Sequence, residues 1–164
     1  MQHLAAISMA DVLLSEAAST AILAAAAFAH PCETGGLLLG VYQGTRPWIT
    51  HALVIPSAKS SPSHYELPAG VTHALIDCAR RVDGRLGYLG EWHSHPADFG
   101  PSQTDARTMR QLPTLRRRSP LLLLARGGQT GYGIEVYEWS KRLRSSVNLR
   151  RTGNLPEIGK TPQS

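Results

Sequence analysis

The sequence predicts a single α/β (α+β) domain, a mixed β-sheet sandwiched by helices, and three observations carry that expectation. A chain of 164 residues, 42% of them hydrophobic, is long enough for one well-packed core and too short for two sizeable ones. Segments with helical periodicity alternate with short apolar runs of strand length. Their order is helix, two strands, helix, then three strands with a short helix inserted, which suits a mixed sheet covered by helices.

From Met9 to His30 the chain is Ala-rich, dense in apolar residues and free of Gly and Pro. This predicts a first helix that Pro31 terminates or follows. Gly35 and Gly36 lead into the apolar run 37–42, and Gln43-Gly44-Thr45-Arg46 reads as a hairpin turn into a second strand from Trp48 to Ile55. Residues 56–63 have turn composition without periodicity and form a loop. In the segment Pro68 to Asp83, Val71, Leu75, Ile76, Ala79 and Val82 mark one helical face, and Gly84 stands where a C-terminal cap belongs. Leu86 to Trp92 is the next strand, and it delivers the chain into His93-Ser94-His95-Pro96. After a loop over 96–101, Ser102 and Asp105 resemble a helix start, with a short helix running to about Gln111. Pro120 to Ala125 and Gly131 to Trp139 are the last strands, separated by residues 126–130. Beyond Ser140 the pattern decays. The expected domain therefore spans 1–140, followed by a basic, disordered tail over 141–164.

No cationic leader with a small-residue cleavage site opens the sequence, and the apolar runs 21–29 and 121–125 are too short to cross a bilayer, so the expected location is cytoplasmic and no membrane partner is expected. Cys32 and Cys78 are the two cysteines, and in that compartment they stay reduced. The formal charge of +5 is uneven: residues 141–164 carry six basic groups against Glu157, and the remainder carries 11 basic and 11 acidic groups. Apart from the run Arg116-Arg117-Arg118, the basicity belongs to the tail, which argues for solvated surface ahead of a nucleic-acid interface.

His93 and His95 alternate with Ser94 at a strand end, so both imidazoles project from one face of the sheet as a natural pair of zinc ligands. Asp105 is the candidate third ligand, because loop 96–101 turns the chain back and the first helical turn aims a carboxylate at the same point. Two His and one carboxylate leave a fourth position for water, the pattern of catalytic zinc, which lowers the pKa of that water towards roughly 7. The helix-borne His-Glu-x-x-His motif is absent, so a general base has to come from elsewhere.

His93-Ser94-His95-Pro96 followed by Pro101-Ser102-Gln103-Thr104-Asp105 resembles the signature of the JAMM (MPN-plus) metalloproteases, and 33–40, Glu33-Thr34-Gly35-Gly36-Leu37-Leu38-Leu39-Gly40, resembles the segment that supplies that family's catalytic glutamate. The resemblance covers residues 10–139. It implies one Zn2+ held by His93, His95 and Asp105, with Glu33 as the base that takes a proton from water and returns it to the leaving amine. It also implies that the Ser102 hydroxyl donates to the tetrahedral oxyanion. Gly35 and Gly36 let backbone or substrate approach closely. The family usually places ten residues between the second His and the Asp; nine stand here, and with Ser102-x-x-Asp105 intact the shortening falls in loop 96–101.

Plainer roles stand beside these. Ser102 and Asp105 also suit a capping pair. Glu33 also suits a turn carboxylate. Glu91 either orients a ligand imidazole or is a charge at the strand end. Cys32 suits a small buried position, and His3, His30, His51, His64 and His73 suit surface or packed polar positions.

Members of the family cleave isopeptide or peptide bonds after the tail of ubiquitin or a ubiquitin-like protein, and some bacterial members process sulfur carriers. Residues 88–96 look most like compact bacterial members found beside ubiquitin-activating and ubiquitin-conjugating enzyme homologues in antiphage defence operons. The expected partners are thus a ubiquitin-like protein or its conjugates, with those enzymes. An extended tail would add along a strand edge, walled by loops 57–66 and 96–101. The competing readings are a metal-free MPN-type binding module and a nucleic-acid-associated protein by analogy with RadC-like relatives.

Overall fold

The computed structural model of the chain describes residues 11–111, 120–140 and 143–158. The arginine run 116–118 and the end of the expected tail, 159–164, lie outside them. The elements are β1 (Val12–Ser15), α1 (Glu16–Ala29), β2 (Gly35–Gln43), β3 (Arg46–Val54), α2 (Thr72–Val82), β4 (Gly87–His95), α3 (Gln103–Gln111), β5 (Leu121–Gly128), β6 (Gly131–Ser140), β7 (Leu143–Ser146) and β8 (Leu149–Thr152). One eight-stranded sheet joins them in the order β7-β6-β5-β4-β2-β3-β1-β8. It is mixed: β1 runs parallel to β3 and β8, β4 runs parallel to β5, and the other neighbours are antiparallel.

Helix α1 covers one face. Its Ala18, Ile22 and Ala26 are buried in a core with Leu38, Ile49, Leu89, Trp92 and Leu123. Trp92 is 1% exposed and donates its indole hydrogen to Leu53 O at 3.0 Å, so the largest core side chain satisfies its one polar atom. Residue alternation then sends Glu91, His93 and His95 of β4 to the opposite face, where Glu91 and His93 stand in register with Leu122 and Leu124 of β5. On that face α2 packs against β4, and α3 closes over the end of the strand. Among the described residues no helix is long and apolar enough to cross a membrane.

Four expectations need correction. The first helix does not begin at Met9: residues 12–15 are a strand, and Ser15 caps α1 by accepting from Ala18 N at 3.1 Å while donating to Thr50 O at 3.0 Å. Val12, Leu13 and Leu14 are buried on both faces between β3 and β8, and a strand so placed reads as an unbroken apolar run that periodicity cannot separate from a helix. The domain does not end at 140. Strand β7 pairs with β6 and β8 pairs with β1, Val147 is 6% exposed between them, and Asn154 Oδ1 accepts from Ala17 N in the first turn of α1. The second helix starts at Thr72 and not Pro68, because Gly70 at φ +80 interrupts it, and Val82 faces solvent. Strand β5 runs on through Gly128, leaving Gln129 and Thr130 as the hairpin turn.

Candidate metal centre

The centre assembles where β2 and β4 begin to diverge. Gly35 is in register with His93, and the ladder is extended by Ser94 N donating to Thr34 O at 2.8 Å and Thr34 N donating to Ser94 Oγ at 3.0 Å. This carries Glu33 alongside the histidines. Its backbone is held from the other side, where Glu33 N donates to Ser61 O at 2.9 Å and the Ser60 hydroxyl donates to Glu33 O. Glu33 is 5% exposed, with Oε1 4.0 Å from His95 Nε2. A side chain at Gly35 would meet Trp92 O, Tyr65 Cε1 at 2.6 Å and His93 Cβ at 2.9 Å. Glycine there admits the neighbouring strand and the Tyr65 ring.

Three donors converge beside Glu33. His93 Nε2 lies 3.0 Å from His95 Nε2 and 3.0 Å from Asp105 Oδ1, and His95 Nε2 lies 3.4 Å from Asp105 Oδ2. Tetrahedral donors at about 2.0–2.1 Å from a zinc ion stand about 3.3 Å from each other, so the spacing suits one small cation. The chemistry of the set agrees: two imidazoles and a carboxylate that could hold a metal ion. His95 Nδ1 lies 3.1 Å from Phe99 O, and with the proton on Nδ1 the Nε2 lone pair faces the centre. The Phe99 ring stacks on the imidazole at 4.5 Å between centroids. Loop 96–101, which presents Phe99, is tied to the sheet by Arg126: its Nε donates to Asp98 Oδ1 at 2.7 Å, and its Nη1 to Glu135 Oε1 at 3.1 Å.

Asp105 stands in the first turn of α3 in a reciprocal cap. Ser102 N donates to its Oδ2 at 2.6 Å, and Asp105 N donates to Ser102 Oγ at 3.1 Å. The capping role and the position in the cluster coexist, since Oδ1 is left facing His93.

Burial sets the charge states. Burial raises the Asp105 carboxyl, but hydrogen bonds from His93 and His95 outweigh it and hold the group well below the usual carboxylate range. Burial lowers His95, and its hydrogen bonds to Asp105 and Phe99 O together with the negative charges of Asp105 and Glu33 more than offset this and leave the imidazole raised. Glu33 is pushed up to about 7, first by burial, with His95 opposing and Asp105 adding. Burial alone pushes Glu91 up to about 7 as well.

All five residues singled out in the sequence, Glu33, His93, His95, Ser102 and Asp105, thus come together. Glu91 shares the face but bonds neither imidazole, and at His95 it is Phe99 O that meets Nδ1. Glu91 instead lines a cavity of about 500 Å3 that opens beside His93 and Asp105. The expected walls hold in part. His64, Tyr65 and Glu66 of the loop after β3 line the cavity, but the opposite wall is α3 (Thr104, Thr108) and not loop 96–101. Cys32 is a free thiol with partial exposure. The Thr34–Ser94 clamp and the Phe99 carbonyl were not evident from the sequence, since backbone partners carry no side-chain signature.

The family profile described as prokaryotic homologues of the JAB domain matches residues 15–140. A Pseudomonas aeruginosa (strain BWHPSA011 / Pa011) protein named CD-NTase/cGAS isopeptidase is 39% identical over 111 residues, covering 64% of this chain and 68% of its own. A Sinorhizobium fredii (strain NBRC 101917 / NGR234) protein named a probable metalloprotease is 29% identical over 125 residues, covering 71% of this chain and 76% of its own. The solution structure of a Desulfitobacterium hafniense protein shares the fold at a TM-score of 0.72 and 23% identity, covering 88% of this chain and 94% of its own. The chain belongs to the prokaryotic JAB-domain family.

Proposed function

We propose that the chain is a zinc-dependent isopeptidase or peptidase that removes a ubiquitin-like protein from its target or trims its C-terminus. The observation that carries this reading is the triangle of His93, His95 and Asp105 donors with the buried Glu33 carboxyl beside it. A bound zinc ion supplies a Lewis acid that acidifies water and polarises the scissile carbonyl. Glu33 takes a proton from the attacking water and passes it to the departing amine, so the C–N bond breaks to a carboxylate and an amine. Ser102 Oγ accepts from Asp105 N, which leaves its own hydrogen available to the oxyanion. His95 and Asp105 are held in place by Phe99 O and Ser102 N.

Relatives named isopeptidase and metalloprotease support a hydrolase of this type. The Pseudomonas aeruginosa relative named CD-NTase/cGAS isopeptidase makes a conjugate of such a protein the first substrate to test. We place the enzyme in the cytoplasm, in a bacterial ubiquitination-like antiphage defence system with ubiquitin-activating and ubiquitin-conjugating enzyme homologues as partners. The test is a pair of variants. Glu33→Ala retains stoichiometric zinc by elemental analysis and loses turnover by at least about 10²-fold; His95→Ala loses both. Cleavage at the wild-type rate by zinc-loaded Glu33→Ala removes the base assignment, and a purified wild type that takes up no metal removes the whole reading.

A further inference from the structure

Glu91 is a carboxylate that the proposed chemistry does not use. It lies on β4 two residues before His93, on the same face, and lines the cavity of about 500 Å3 that opens beside His93 and Asp105. Among the described residues it has neither a hydrogen bond nor an ion pair. The other carboxylates near the centre are matched. Asp105 meets both imidazoles, Glu33 faces His95, and Asp98 and Glu135 share Arg126. At the rim of the same cavity Glu66 has Lys59 at 3.5 Å and His64 at 3.8 Å.

Apolar walls flank Glu91 on two sides, Leu67 and Pro68 from the loop before α2 and Leu122 from the sheet. A partly apolar cleft in which Glu91 is the lining carboxylate left without a counter-charge fits a side chain with a methylene stem and a cationic head, which buries its stem and pairs its end. A carboxylate enclosed without a partner is costly, and a cation delivered by the substrate offsets that cost. The volume lies within the roughly 300–1,000 Å3 of ordinary ligand clefts.

We infer that this cavity is a subsite for one lysine or arginine side chain near the cleaved bond, with Glu91 as the residue that selects it. This rests on the peptidase reading above and deepens it by naming a charge preference in the substrate.

The test uses the full chain loaded with zinc and a set of Gly-ending peptide tails joined through the terminal carbonyl to a fluorogenic amine. One position at a time among the four residues before the cleaved bond carries Lys, Arg, Gln or Glu. The expected result is that at one position Lys or Arg raises kcat/KM over Gln by about tenfold, the size of one charge-assisted hydrogen bond, and that Glu falls below Gln. Glu91→Gln abolishes the ratio between cation and neutral, and Glu91→Lys inverts the ratio between cation and anion. No charge preference at any position, or a preference that survives Glu91→Gln unchanged, overturns the inference. The same tails as free acids carrying a fluorophore at the N-terminus, titrated by fluorescence anisotropy, read the subsite without turnover. A Glu91-dependent preference in binding with no cleavage of any tail supports the subsite and sinks the peptidase reading. Cleavage without a charge preference sinks the subsite alone. Where Glu91→Lys does not fold, the Glu91→Gln ratio decides.

Discussion

Glu91 also links one side chain to the pH dependence of folding. Its ordinary value of 4.5 is pushed up to about 7 by burial, so the folded chain binds this proton more tightly than the unfolded one. The sign follows for this group's contribution: it is greatest below about 4.5, falls as pH rises from about 4.5 to about 7, and levels off above. Glu91→Gln removes that slope. Its advantage over wild type in unfolding free energy is expected to be about 1–3 kcal/mol larger at pH 8 than at pH 5, after discounting for partial exposure. Urea denaturation of metal-free protein at the two pH values measures it, and an equal advantage at both would mean that the carboxyl is solvated. At this scale most of the site was readable. Strand alternation alone places His93 and His95 on one face, and the motif resemblance pairs them with Glu33, Ser102 and Asp105. Glu91 was readable as sharing that face but not as unpaired, because a missing partner is a property of every element around it.

At the scale of elements, α3 and loop 96–101 each join a structural contact to a proposed role at the centre. Ser102 caps α3, so Ser102→Ala is expected to lower stability by about 1 kcal/mol. It is also expected to lower turnover by about 10²–10³-fold, as loss of an oxyanion donor does. A thermal melt beside steady-state kinetics separates the two, and a variant that loses stability but keeps its rate leaves Ser102 a cap only. Loop 96–101 presents Phe99 O to His95 and is tethered through Asp98 to Arg126. Arg126→Ala breaks solvent-exposed pairs with Asp98 and Glu135, which contribute little to the fold. Through His95 it should nevertheless weaken metal binding by about tenfold. Competition against a chelating dye gives the affinity; an unchanged value would show that Phe99 is positioned without Arg126. The helix and hairpin signals around these elements were legible because they are local: Gly44 at φ +64 in the turn between β2 and β3, and the Ser-x-x-Asp cap of α3.

For the whole molecule, the segment after Ser140 is a part of the sheet. Strand β8 flanks β1, Val147 joins the main core, and Trp48 Nε1 donates to Thr152 Oγ1 at 2.8 Å. Truncation after Ser140 uncovers the β1 edge and is expected to lower stability by at least about 3 kcal/mol, a fall in Tm of roughly 6–12 °C. Calorimetry on the truncated and full chains decides, and an unchanged Tm would restore the description of residues 141–158 as a tail. Such a truncation therefore does not isolate the basic groups, and charge-neutral substitutions at Arg150 and Arg151 test a nucleic-acid contact more cleanly.

By itself the sequence determined the fold class, the hairpin, the two later helices and the five candidate residues that the fold brings together. Each of these depends on periodicity, turn chemistry or a motif within a few residues of chain. Only the tertiary structure decided that Val12 to Ser15 form a strand, that 143–152 complete the sheet and that Glu91 is left without a counter-charge. The physical reason is common to all three. Parallel pairing of β1 with β8 joins residues more than 130 positions apart, and the environment of a buried charge is built by several elements at once. Such facts exist only after the chain has closed on itself.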